Sequence, residues 1–532
     1  MEADYVIIGA GSAGCVLANR LSAEGAQVVL LEAGPRDLHP WIHIPAGVLK
    51  LLHNPLINWM YASEPDAKTD NRAIHWPRGR VLGGTSSING MLFVRGNPAD
   101  YDAWAQMGCR GWTYADCLPH FKSMESYAPG DDAHRGKDGP LRIEDYRTTL
   151  PLTHRFIEAA QQAGHPLVKD LSGAKPADGV GYSQMSRNGR FRGSTAQTFL
   201  RQARGRSNLR IITDAVALRL VVDGKRCTGV HFDRQGLRTT ITARREVIVS
   251  SGSVNSPHLL QVSGIGPAAH LKSIGVDVVH DLPGVGANLS DHYATRISHR
   301  VKNAVSINEL ARGVKLVGEV AKFVVTGRGA LTFGVSSAQC FTRSREGVEA
   351  PDIQLLFSPA SYDPTKFGEL ERKPGVTIAV SIARPRSRGT IMATSPDPFG
   401  RPVINPNYLS DPDDLRVALA GVAQARKIFA QPAFAQNSDG EICPGPQAQS
   451  ETALADYIRA TGTTIYHPVG TCKMGDDPSA VVDSRLRVRG LTGLRVIDAS
   501  IMPAVTTGNT NAPTIMIAEK GASMMLEDAR AG

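Results

Sequence analysis

The chain has 532 residues, too many for one compact core, so two or more domains are expected. Hydrophobic residues make up 42% and charged residues 20%, a soluble globular balance, and no apolar run approaches the roughly 18 residues of a membrane span. The formal charge of +9 is spread along the chain; its two densest groups, Arg201, Arg204, Arg206, Arg210 and Arg384, Arg386, Arg388, lack interleaved aromatics and read as solvated surface, which argues against nucleic acid as a partner.

The seven cysteines are scattered, odd in number and without Cys-x-x-Cys, so neither a disulfide framework nor a zinc cluster is expected. The histidines lack H-E-x-x-H spacing, so no metal site is expected. Too few residues precede the first apolar run for a signal peptide, and the expected location is cytoplasmic, with contact at the inner membrane left open.

Taken in chain order, Tyr5-Val-Ile-Ile8 predicts a strand, Gly9-Ala-Gly11-Ser12-Ala13-Gly14 a glycine-rich turn, the next stretch a helix to about Glu24, and Val28–Leu31 a second strand. Gly9 permits the tight turn, Gly11 lets a pyrophosphate approach the backbone, and Gly14 allows close helix–strand packing. The helix N-terminus with Ser12 and Ala13 offers N–H groups to phosphate. Glu32, followed by Ala33, stands where a carboxylate accepts from ribose hydroxyls. This is a Rossmann-type fingerprint in its proper strand–turn–helix context, and it does not separate FAD from NAD.

Residues 35–75, with Trp41, Pro45 and Trp59, show no clear period and read as a long excursion, a candidate lid. Residues 78–96 (Arg-Gly-Arg-Val-Leu-Gly-Gly-Thr-Ser-Ser-Ile-Asn-Gly-Met-Leu-Phe-Val-Arg-Gly) suit backbone lying flat against a planar ligand. Residues 246–267 predict a strand, a turn at Gly252, a helix from about Pro257 and a stop at Gly264. Leu310, Val314, Val317, Ala321 and Val324 form a helical stripe, expected to pack in the core or between subunits of a homo-oligomer, with a basic amphipathic membrane contact as the alternative. Turns at 402–406 and 411–414 precede a helix near 413–430.

The 78–96 and 246–267 blocks resemble the two signature segments of the glucose–methanol–choline (GMC) oxidoreductase family. The resemblance continues through Pro283-Gly-Val-Gly286 with Asp291-His292, Arg384-Pro-Arg-Ser-Arg-Gly389 and the stretch 466–520, and is greatest to the bacterial choline-dehydrogenase-like branch. It implies an α/β fold in which a Rossmann-type FAD-binding domain (1–34, 76–100, 205–292 and 460–532) joins an α+β substrate domain with an antiparallel sheet (101–204 and 293–459). The resemblance further implies flavin contacts from Trp59, Val81, Gly83, Asn89, Gly90 and Met91, an adenine contact from Val216, a ribityl–phosphate contact from Asp498, and further FAD contacts from Ala499, Asn509 and Thr510. Some members carry a histidine bonded to flavin where Ile88 stands; isoleucine cannot form that bond, so the FAD is expected to be non-covalent.

Family resemblance also implies the reaction: oxidation of a primary alcohol to the aldehyde by hydride transfer to flavin N5, with a quinone, dye or dioxygen as electron acceptor. An oxidase using dioxygen and an FAD-containing, hydroxynitrile-lyase-like lyase are the alternatives. Histidine suits the proton transfer because its ordinary pKa lies near neutrality. His467, in Tyr466-His467-Pro468, is the candidate base, and Asn509, in Gly508-Asn509-Thr510, the candidate partner of the developing alkoxide. A final helix beginning near Pro513 is expected to point its N-terminus at the flavin.

Overall fold

The computed structural model describes residues 1–146, 148–174 and 177–531. Two large sheets organise it. In the first, Leu209–Ile212, Val28–Leu31, Glu2–Ile8, the end of Leu237–Val249 and Leu494–Val496 run parallel in that order. The early half of Leu237–Val249 extends into an antiparallel meander with Arg226–Arg234 and Ala215–Asp223. In the two strands at the centre of the sheet, Tyr5–Ile8 and Val28–Leu31 are buried and apolar and share one core with helix Ser12–Ala23. Helix Ser12–Ala23 and the last helix, Asn511–Ala531, pack together here, and Ser12 Oγ donates to Asn511 Oδ1 at 2.7 Å where the two begin.

The second sheet is antiparallel, in the order Ser438–Cys443, Tyr293–Val301, Gly375–Ile382, Ile353–Ser358, Ala338–Thr342, Gly179–Tyr182. Its strands alternate strictly. Ile353, Leu355, Phe357, Val376, Ile378, Val380 and Ile382 face helix Pro412–Phe429, while Gln354, Leu356, Ser358, Thr377 and Ala379 take the opposite face. Gly421 permits close helix–sheet packing, since a Cβ there would lie 2.4 Å from Val380 Cγ1.

Three expectations need correction. The helix expected from about Pro257 begins earlier, spanning Gly252–Val262 with Pro257 inside it. The proline frees the Ser253 carbonyl, which instead accepts from the Thr471 hydroxyl at 2.7 Å, so the helix continues. The 307–328 stripe is two helices, Ile307–Leu310 and Gly313–Thr326, and on the second Val314, Val317, Val324 and Val325 face solvent at 88, 69, 61 and 79% exposure, which rules out core packing. Lastly, of the arginines expected to be solvated, Arg201, Arg210 and Arg386 are exposed, while Arg204, Arg206, Arg384 and Arg388 are half-buried. Arg384 lies 3.6 Å from Asp100, Arg386 pairs with Asp413, and Arg204 pairs with Asp37 at 3.0 Å. No helix among the described residues is long and apolar enough to cross a membrane.

Candidate active site

A cavity of about 680 Å³ runs from the first glycine turn, over the C-terminal ends of the parallel strands, to the polar face of the antiparallel sheet. Gly9, Gly11, Ser12, Ala13, Glu32, Ala33, Trp59, Asn89, Gly90, Met91, Val216, Asp498, Ala499, Asn509, Thr510 and His467 all line it. Gly14, Val81 and Gly83 stand one layer behind. Gly14 is pressed against the turn, a Cβ there falling 1.9 Å from Gly9 O. Val81 packs with Ile42, Leu51, Ile57 and Ile88, and Gly83 N donates to Ala10 O at 2.7 Å. The two glycine-rich segments interlock, since a Cβ on Gly84 would meet Gly11 Cα at 2.7 Å.

The nucleotide end has the donor set for a dinucleotide. Helix Ser12–Ala23 opens onto the cavity at Gly11, presenting N–H groups to an anion. Glu32 accepts from Ala10 N and Gly34 N, both at 2.9 Å, and burial raises its pKa to about 7. Asp498 accepts from Gly252 N at 2.8 Å, Ser256 Oγ at 2.5 Å and Ser500 N at 2.8 Å, and burial raises it too. The final helix also begins at the cavity, with Thr510, Asn511 and Thr514 on its wall.

Residues 84–91 carry the wall toward the other end. Arg192, almost fully buried, donates from Nη1 to Asn89 O at 2.5 Å and Oδ1 at 2.9 Å, and from Nε to Ile42 O at 2.7 Å. It ties the excursion to the glycine loop, and burial lowers its pKa to about 9. Asn89 Oδ1 also accepts from Met91 N at 3.0 Å, fixing Met91 at φ 63°. Tyr466, beside His467, has φ 73°. Two strained residues thus border one site, a pattern common at functional centres.

His467 is set by a bridge between distant segments. Ser290 and Val469 exchange backbone hydrogen bonds at 3.0 and 2.8 Å, which brings Asp291 and His292 against it. Asp291 Oδ1 accepts from His467 N at 2.8 Å, while its other oxygen accepts from the hydroxyls of Thr464, at 2.6 Å, and Tyr408. Burial raises the Asp291 pKa to about 6.

The proton positions follow from the acceptors. Nε2 of His292 lies 3.0 Å from Ala383 O, which can only accept, so Nε2 carries the hydrogen. Burial lowers the His292 pKa to about 4, so the ring is neutral and its Nδ1 is bare. That atom lies 2.9 Å from His467 Nδ1, which must therefore be the N–H. His467 Nε2 is left with a lone pair, 3.1 Å from Asn509 Nδ2. Burial first, then the nearby His292 and Arg78, hold the His467 pKa well below 6.5.

Asn509 is oriented from both sides. Thr507 N and Oγ1 donate to Asp100 at 2.7 and 2.9 Å, pinning its turn. Gln354 Nε2 donates to Gln339 Oε1 at 2.7 Å and lies 3.4 Å from Asn509 Oδ1, so the amide presents Nδ2 to the histidine. His292, Asp291, Gln354 and Arg192 were not identified from sequence as site residues. Asp291-His292 was visible as a motif without a role, and the others gave no local signal.

Family models described as GMC oxidoreductase match residues 3–294 and 385–518. An alcohol dehydrogenase [acceptor] of Pseudomonas putida is 41% identical over 531 residues, covering 98% of this chain and 95% of the relative. An oxygen-dependent choline dehydrogenase of Brucella canis is 42% identical over 533 residues, covering 99% and 96%. Among solved structures, pyridoxine 4-oxidase from Mesorbium loti superposes with a TM-score of 0.90 at 31% identity, covering 98% of this chain and 99% of that one. Aspergillus oryzae formate oxidase superposes at 0.92 and 25% identity, covering 100% and 99%.

Proposed function

Because the chain belongs to the GMC oxidoreductase family, whose members act on CH–OH donors, we propose that it oxidises a primary alcohol to the aldehyde with His467 as base. FAD, when bound, supplies the hydride acceptor. The reading rests on one observation: the order of hydrogen bonds Ala383–His292–His467–Asn509 leaves a lone pair on His467 Nε2 facing the cavity. That atom takes the hydroxyl proton, and Asn509 Nδ2 donates to the alkoxide oxygen that forms. An amide donor does this in any protonation state. Ile88, buried at 2% exposure, offers no nucleophile to the flavin, so the cofactor is held non-covalently there. The acceptor that reoxidises it is a quinone or dye in a dehydrogenase, and dioxygen in an oxidase; we favour the dehydrogenase.

An anaerobic titration of the holoprotein with an alcohol panel, followed by admission of air, tests the proposal. Bleaching of the flavin by a primary alcohol and slow return in air are expected. A flavin left oxidised by every alcohol would overturn it and favour a lyase.

The pH dependence is a second check. Only unprotonated His467 can accept the proton, and its pKa is held well below 6.5. Flavin reduction should therefore be flat through neutrality and fall only on the acid side. A rate that halves between about pH 7 and pH 6 would mean a base with an ordinary histidine pKa.

A further inference from the structure

Resting on that reading of the site, we infer that Arg296 recognises an anionic group on the substrate, so that the alcohol taken by this chain carries a carboxylate. Arg296 lies on strand Tyr293–Val301 opposite Ala379, which lies opposite Leu356, and all three line the cavity. The next row of the same face is Ala294, Ser381 and Gln354, and Gln354 approaches Asn509. Arg296 is thus one row, roughly 7 Å along the strand, from the row that meets the catalytic amide. The phosphate-facing glycine turn belongs to the other sheet, at the far end of the cavity.

The guanidinium is free to take a ligand. It stacks over Tyr362 at 5.3 Å, and among the described residues no carboxylate pairs with it and no protein acceptor takes its N–H groups. A planar guanidinium facing a cavity matches the two oxygens of a carboxylate. The hydroxyls of Ser358 and Thr377 line the same wall.

The pocket is correspondingly poor for a cation. The carboxylates among its lining residues are Glu32 and Asp498, both at the nucleotide end and both held by backbone N–H groups. Two aromatic faces of the kind that cage a quaternary ammonium are already occupied, Trp59 by Arg80 at 5.1 Å and Tyr362 by Arg296 itself. Choline therefore lacks a counter-charge here, whereas a hydroxyalkanoate has one.

The test uses holoprotein, wild type and the variants Arg296→Met and Arg296→Lys, each checked for bound flavin. Calorimetric binding of a medium-chain alkanoate, which has no hydroxyl to oxidise, should weaken roughly 10- to 100-fold in Arg296→Met and partly recover in Arg296→Lys. In flavin reduction, wild type should prefer the ω-hydroxyalkanoate over the 1-alkanol of equal length and over choline, and Arg296→Met should bring the first ratio near one. Equal alkanoate binding in all three proteins, no binding in any, or a wild-type preference for choline would overturn the inference. Arg296-dependent alkanoate binding without flavin reduction by any alcohol would leave the anion site standing and sink the proposed oxidation.

Discussion

Replacement of His467 by alanine is expected to leave FAD bound and to slow flavin reduction by an alcohol roughly 10²-fold or more. On the proposed mechanism the variant removes the lone pair that takes the hydroxyl proton, while the end of the cavity at the first glycine turn is untouched. The residual rate would come from orientation and from Asn509. Stopped-flow reduction under anaerobic conditions reads the chemical step directly, and the flavin absorbance of the purified variant reads retention. Wild-type reduction kinetics in this variant would put the base elsewhere. His292 accepts the His467 Nδ1–H at 2.9 Å, and on the proposed mechanism it positions that ring. Its loss should cost less and move the pH profile, because the His467 tautomer would no longer be fixed.

The parts of this site that were legible in sequence are those where backbone geometry leaves no choice of residue. Gly9 has φ 97°, and a side chain on Gly14 would strike Gly9 O, so glycines at those positions can be read directly. The placing of His467 and Asn509 at the cavity was legible because each sits in a segment resembling a family signature. What stayed hidden depends on contacts across hundreds of residues. His292 gains its role only when Ser290 pairs with Val469. Arg192 looks like any surface arginine until the fold buries it behind Asn89. The misread helix at Gly252 has the same origin: Pro257 signals a start by local rules, but a hydroxyl from residue 471 satisfies the carbonyl it frees. The exposed valines of Gly313–Thr326 show the reverse failure, for periodicity predicts the helix and cannot say which way its apolar face turns.

The largest effect on stability is expected at Glu125. Arg95, next to the end of the 78–96 segment, is absent from the cavity wall. Its Nη2 donates to Glu125 Oε1 at 2.6 Å, and Arg135 Nε donates to the same oxygen at 2.6 Å. The side chains of Arg95, Arg135 and Glu125 are 1, 0 and 0% exposed, and Arg135 also reaches Asp170 at 2.6 Å. Two buried cations are thus balanced by one buried carboxylate and one partly open one. Removing a single member of such a cluster leaves an uncompensated charge in a poorly polarisable interior, which costs about 3–5 kcal/mol. Glu125→Ala should therefore lower the urea midpoint markedly, and because Arg95 follows the 84–92 stretch of the cavity wall, it should also speed loss of FAD on dialysis. Glu125→Gln, which keeps an acceptor but not the charge, should fall between. A Glu125→Ala midpoint equal to wild type would mean that water reaches the two guanidinium groups and that the loop is anchored by something else.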